Sequence, residues 1–309
     1  MIRPMLLAYI DDLIEDNTKK YIYTFEIYDE LVSKWIEREP IEDISLYKFS
    51  EKVAEHMYYN KTMYINKDKI EDLCKESNIQ LKAIEAKSKS LLNRNANGTY
   101  KFAHKSILEF FIAKKAYNDF KFRRTITFDY FKIFNMAKFF LTEMDMNRLY
   151  QLYINNPFEL KGASFSFSQL SGLYLPETNI LECDFRACNF TRAYFSGSKF
   201  KSVNLGDATF VGAKLTNTVL EGENLSFADL TRADLEGADL RRANLMGSRL
   251  MDANLKGAKL KDANLENSCW KKEDIIKAYS QLKESIFTQI KILNSNNNFV
   301  TIGRSLLFP

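Results

Sequence analysis

From Phe165 to Trp270 a large apolar residue returns at every fifth position without a slip, giving 22 centres in one register. Phe185, Phe190, Phe195 and Phe200 occupy four consecutive centres, and leucine fills every centre from Leu215 to Leu265. Two residues before a centre the side chain is usually small, as at Ala193, Ser198, Ala208, Ala228, Ala233 and Ala243. An α-helix repeats near 3.6 residues and a strand near 2, so a period of five requires a short side plus a corner, wound into a coil. A short fixed period means a solenoid.

The rest of the chain has other periods. Leu6, Leu7, Ile10, Leu13 and Ile14 form a helical stripe after Pro4, a residue tolerated in a first turn. Further helices are predicted over Glu26–Arg38, over Ser45–Tyr59 with Leu46, Phe49, Val53 and Met57 on one face, and over Lys67–Ser77. Asn97-Gly98 is a strong turn signal and Thr99–Phe102 reads as a strand, so helices are followed by a hairpin, as in a winged helix. Ile107, Phe110 and Phe111 then mark a buried helical face, and Phe131 to Leu152 an apolar helical connector. Beyond Trp270, the spacing of Ile275, Ile276, Tyr279, Leu282, Ile286 and Ile290 predicts one amphipathic helix over Glu273–Leu293 that caps the open coil. Phe299–Ile302 reads as a strand.

Runs such as Ala228-Asp229-Leu230, Ala233-Asp234-Leu235 and Ala243-Asn244-Leu245 resemble the pentapeptide-repeat family. The resemblance implies a right-handed, four-sided (quadrilateral) β-helix with centre and small residue both pointing inward, in which residues 20 apart stack at about 4.8 Å. A second resemblance rests on Phe102-Ala103-His104-Lys105-Ser106-Ile107-Leu108-Glu109-Phe110-Phe111, with Arg3-Pro4-Met5-Leu6-Leu7 upstream. It is similar to the C-terminal helical and winged-helix part of NACHT-type STAND NTPases. In that family the matching proline and histidine touch the bound nucleotide, so the resemblance carries that role to Pro4 and His104. The expected architecture is therefore a multidomain α+β chain: a helical and winged-helix region over 1–117, a helical connector over 118–159, the solenoid over 160–270, and a capping helix and tail over 271–309.

Charge narrows the functions. Between Lys161 and Trp270 there are 13 basic and 13 acidic residues, so the coil is not the strongly negative surface of a DNA mimic. The predicted third helix balances Lys67, Lys69 and Lys75 against Asp68, Glu71, Asp72 and Glu76, which argues against a nucleic-acid interface. Cys183 and Cys188 occupy small inward positions and read as packing residues; with Cys74, Cys269, His56 and His104 they give no zinc spacing. No apolar run approaches a bilayer span and no signal peptide is evident, so a cytoplasmic location is expected.

No phosphate-binding loop, metal spacing or catalytic triad order is present, so the chain reads as non-catalytic, with no cofactor of its own. ADP or ATP would enter only through an upstream NTPase domain, in cis or in trans. Candidate protein contacts lie on the coil. Tyr174 and Tyr194 are 20 apart and should stack; Asn204, Asn224, Asn244 and Asn264 should form an amide ladder. Leu173, Val203 and Glu223 break the small-residue rule. An inward carboxylate at Glu223 is costly unless a bulge swings it out or Lys201 or Arg241 meets it. The two resemblances together imply the regulatory and recognition part of a STAND signalling NTPase, of a kind used in bacterial defence, with the solenoid as protein-binding sensor or scaffold. The alternative is a free-standing repeat protein that binds a topoisomerase or another protein.

Overall fold

The computed structural model describes residues 21–37, 43–79, 91–126, 135–156, 158–294 and 297–308. Pro4 and the stripe around it lie outside the described residues, as does the connector between 127 and 134. The chain divides into two compact units at Met144 and Asp145.

In the first unit α1 (Thr24–Glu37) buries Tyr28, Leu31, Val32 and Ile36, a stripe at helical spacing. Helix α2 (Asp43–Tyr59) buries Leu46, Phe49, Val53 and Met57, the face its periodicity predicts. Helix α3 (Lys67–Glu76) is capped by Asn66, whose side chain accepts from the Lys69 amide. Strands β1 (Leu92–Arg94) and β2 (Tyr100–Phe102) pair antiparallel through a loop in which Gly98 takes φ +81°. Ile65 bridges the free side of β2 at Tyr100.

Helix α4 (Lys105–Asn118) is buried on nearly every side from Ser106 to Ala113, more than its three-residue stripe announces. It packs chiefly against α2, and also against α1, β2 and α5 (Phe120–Thr125), while its Phe110 ring meets Phe140 of α6 (Asn135–Asn155) edge to face at 5.9 Å. Two helix starts in this unit are held by carboxylates from other helices. Glu143 accepts from the amides of Thr24 and Phe25, and the buried Glu109 accepts from Met136.

The second unit begins within α6 and contains the solenoid. Strands β3 (Glu159–Lys161), β4 (Asn179–Leu181) and β5 (Lys199–Lys201) pair in parallel, each residue opposite the one 20 later. Isolated bridges extend the same offset up the coil, for example Asn204 to Asn224 to Asn244 to Asn264. All 22 centres are buried, and Leu160 adds one more before them. Phe185, Phe190, Phe195 and Phe200 meet edge to face around one turn, with ring centroids 5.2–5.4 Å apart. Cys183 and Cys188 are buried packing residues, and burial pushes the Cys183 thiol up.

The corner is set by backbone conformation. The residue two after each centre from Leu160 to Leu265 has positive φ; eight of these are glycine and fourteen are not, among them Phe167, Arg192, Phe227 and Arg232. The residue before a centre has a matching task. Its Asp or Asn Oδ1 accepts the amide two residues on, as Asp229 does from Thr231, Asp234 from Glu236 and Asn244 from Met246. That is the physical content of the Ala-Asp/Asn-Leu pattern: a small residue to fit, an Asx turn, and an apolar plug.

Both ends of the coil are closed. At the first, Leu149 of α6 joins the solenoid core, Asp145 accepts from the Gln169 amide, and the Arg148 guanidinium lies 4.8 Å from the Phe165 ring centroid. At the other, the single helix expected over Glu273–Leu293 is not formed. Two short helices, α7 (Lys272–Lys277) and α8 (Tyr279–Leu282), are followed by β7 (Gln289–Leu293). β7 pairs in parallel with β6 (Cys269–Lys271), and β8 (Phe299–Gly303) covers it antiparallel before a last turn of helix, α9 (Arg304–Leu307). The unpaired edge of the last coil competes with the helix for these residues and wins. Ile290 and Ile292 alternate inward as in a strand, while Ile276 and Ile286 of the supposed helical stripe are exposed.

Candidate functional site

The tyrosine column is built by the coil. Tyr174 and Tyr194 each precede a centre on successive turns and bridge in parallel, which brings their rings to 5.0 Å at 28°, stacked. Tyr174 is 60% exposed. Its amide receives no coil from below and donates instead to the Tyr150 hydroxyl of α6, at 3.4 Å. The same column continues through Lys214, Asp234 and Asn254, where Asn254 Nδ2 donates to Asp234 Oδ1 at 2.9 Å.

On another side stands the amide ladder. Asn224 donates to Asn204, Asn244 to Asn224 and Asn264 to Asn244, at 3.1–3.3 Å. Each Oδ1 also accepts its own Asx-turn amide, which fixes which end of every side chain is oxygen. The ladder is thus polar: every amide hydrogen points back along the chain, every oxygen forward.

Glu223 is neither swung out by a bulge nor met by Lys201 or Arg241. It is 5% exposed, and its carboxylate accepts from two backbone amides of the coil below, Ser202 at 2.9 Å and Val203 at 2.5 Å. In the neighbouring corners such amides donate to carbonyls, as Arg192 does to Val211 and Ala193 to Phe190. At Ser202–Val203 one carboxylate replaces both. Burial pushes the Glu223 carboxyl up, and its two amide partners pull it part of the way back. Arg241 is engaged elsewhere, with Asp239 at 2.7 Å and Glu221 at 3.0 Å.

His104 is the N-cap of α4: its Nδ1 accepts from the Ser106 amide at 3.2 Å and lies 2.7 Å from the Ser106 hydroxyl. Tyr28 donates to that hydroxyl in turn. The histidine is exposed at a helix start, where backbone N–H groups favour an anion. Its proposed partner in sequence, Pro4, lies outside the described residues. Tyr174, Tyr194 and Glu223 all belong to the second unit, the two tyrosines in one column and Glu223 in another. Periodicity did not single out Phe227, a corner residue with φ +58° that is 56% exposed. Among the described residues no group of three His, Cys, Asp or Glu could hold a metal ion, and no helix is long and apolar enough to cross a membrane.

A search of curated proteins finds no match. The family model "Pentapeptide repeats (8 copies)" matches residues 178–217, 208–247 and 228–267. Among solved structures, the chain is similar to the pentapeptide repeat protein Rfr23 from the cyanobacterium Cyanothece 51142, with 21% identity over 40% of this chain and 99% of that one, TM-score 0.24. It is similar to alr5209, a pentapeptide repeat protein from Nostoc PCC 7120, with 25% identity over 46% and 93%, TM-score 0.25. It is also similar to full-length QnrB1, a plasmid-mediated fluoroquinolone resistance protein, with 20% identity over 37% and 68%, TM-score 0.23. Likenesses of this order say nothing of a partner or an activity. The five-residue register, the 20-residue pairing offset and the family match agree: residues 178–267 are a run of pentapeptide repeats wound into a β-helix solenoid.

Proposed function

We propose that the chain is a non-catalytic recognition module whose solenoid binds a protein partner through the face carrying Tyr174 and Tyr194. The observation that carries this reading is the stacked tyrosine pair, with Tyr174 largely exposed. Its backbone is held by hydrogen bonds along the coil, so the rings meet a partner with little conformational freedom left to lose. The test is a photo-crosslinking residue at Tyr174 in cells, with one at Lys259 on another face as control, followed by affinity measurements on the partner it captures. The double variant Tyr174→Ala/Tyr194→Ala should bind that partner at least about tenfold more weakly, the loss of one ordinary hot spot. Unchanged affinity overturns the assignment.

The wider setting we infer is a NACHT-type STAND NTPase. The first unit would be its winged helix, the right-handed four-sided coil its sensor, and an upstream domain, in cis or in trans, the source of ADP or ATP. The order of helix, helix, Ile65 bridge, helix, hairpin and helix supports this reading, as does the place of His104 at a helix start. Joined to such a domain, the chain should assemble in an ATP-dependent way, and assembly unaltered by His104→Ala would remove the histidine from the switch. The alternative, a free-standing repeat protein that binds a topoisomerase, predicts retention of gyrase in a pull-down. The evenly balanced charge of the coil weighs against it.

A further inference from the structure

Within the coils the amide of a centre and the amide two residues on both point along the axis to carbonyls of the next turn. Leu235 donates to Asn254 at 2.8 Å and Gly237 to Lys256 at 2.9 Å. One turn later this stops. Where the next coil would pass over Leu255 and Gly257 the chain has left as α7 and α8, and among the described residues no acceptor meets either amide. Coil pairing resumes only at Asp262, which donates to Glu284, and at Leu265, which donates to Ile286.

The interruption leaves a cavity of about 530 Å³, floored by Asp252, Leu255 and Lys256 and roofed by Asp274, Lys277 and Gln281. That is the size of a small-molecule site. Its two acids are already engaged. Asp274 accepts the Asp252 amide at 2.7 Å, and the Asp252 carboxylate holds the Lys271 ammonium at 2.7 and 2.8 Å. The donors that remain toward the cavity are the Leu255 amide, the Lys277 ammonium and the Gln281 Nε2 group. Lys277 stands 3.8 Å from Asp274 and is mostly exposed, free to turn toward a ligand.

Amides that lack their carbonyl in this fold are served by a side chain, a hydroxyl for Tyr174 and Thr178 and a carboxylate at several other places. Asp274 serves Asp252, Glu223 serves Ser202 and Val203, and Glu266 serves Thr288 and Gln289. At these places the substitute is a carboxylate. The geometry points to the cavity under α7 and α8 as a binding site for a carboxylate, taken by the Leu255 amide and by Lys277. The group comes either from a small organic acid or from the C-terminus of a peptide.

The experiment is amide-resolved NMR on the full chain, titrated with glutarate, with a short free-acid peptide and with the same peptide amidated. The Leu255 amide should shift saturably with an affinity of about 1 mM or tighter. Lys277→Met should weaken that affinity by about fivefold, the worth of one exposed charge-assisted contact. Tighter binding of the free-acid peptide assigns the site to a protein C-terminus; tighter binding of glutarate assigns it to a small acid. Shifts reproduced by sodium chloride alone, equal binding of the amidated peptide, or no response at the Leu255 amide overturns the proposal.

Discussion

The polarity of the asparagine ladder makes a position-dependent forecast for one and the same substitution. Asn244 donates through Nδ2 to Asn224, while its Oδ1 accepts from the Met246 amide and from Asn264. Asn244→Asp keeps both accepted bonds, loses the donated one, and sets a carboxylate oxygen against Asn224 Oδ1. Asn224 cannot turn its amide to help, because its oxygen is held by the Ser226 amide and its nitrogen by Asn204. The lost bond is worth about 1 kcal/mol, and opposing two oxygens in a half-buried place costs about as much again, so about 2 kcal/mol is expected.

At Asn204, the foot of the ladder, the oxygen accepts from Gly206 and Asn224, and among the described residues the nitrogen donates to none. Asn204→Asp therefore retains every one of these bonds, in the arrangement the chain already uses where Asp234 stands beneath Asn254. Repulsion from Asp184, one coil below, is the opposing effect, and the net change should stay within about 0.5 kcal/mol. The assay is urea unfolding of the full chain at neutral pH, followed by the fluorescence of the buried Trp270 in a Trp35→Phe background. Equal losses at the two positions would refute the polar ladder.

Three other substitutions probe the coil. The Ser248 hydroxyl is buried without a hydrogen-bond partner, so Ser248→Ala should leave stability unchanged or raise it by about 1 kcal/mol, read as the urea midpoint. Because folding raises the Glu223 carboxyl above its ordinary value, its contribution is fully present below about 4.5, the unfolded value, and is lost as pH rises through the folded value. Stability should therefore decline over that window in the native chain, and Glu223→Gln should flatten the decline while costing about 2 kcal/mol at pH 4, because its NH2 faces an amide donor. Gly247→Ala must hold alanine at φ +68° and also displace the Phe227 ring, whose Cδ1 and Cε1 stand 2.5 Å from the new Cβ. It should cost more than the same change at Gly257, where nothing lies closer than 3.9 Å, and adding Phe227→Ala should recover the difference in thermal midpoint.

The centres, the small positions, the tyrosine stack and the ladder were all legible, because a fixed period converts sequence distance directly into stacking. Leu160 belongs to the same register, one step before the first centre recognised. The left-handed corner was hidden because fourteen of its 22 residues are not glycine, and the constraint is set by coil closure rather than by residue type. The partners of Glu223 were hidden for a related reason: they are main-chain amides, which leave no mark in a sequence. The C-terminal cap was misread because Ile275, Tyr279, Leu282 and Ile286 do satisfy helical spacing. What decided their fate was the open edge of the coil, a feature of the assembled chain and not of the segment.

A left-handed corner at every fifth residue quantises the length of this arm. Insertion of one residue would turn every later side chain off its face. Insertion of five would keep the core packed but carry everything beyond by one side, so that Tyr194 would no longer lie over Tyr174. Only a change of twenty lengthens or shortens the arm, by about 4.8 Å, with every face still in line. The chain itself marks where this arithmetic ends: Asn264 pairs with Ile286 and Trp270 with Ile292, each at an offset of 22 in place of 20.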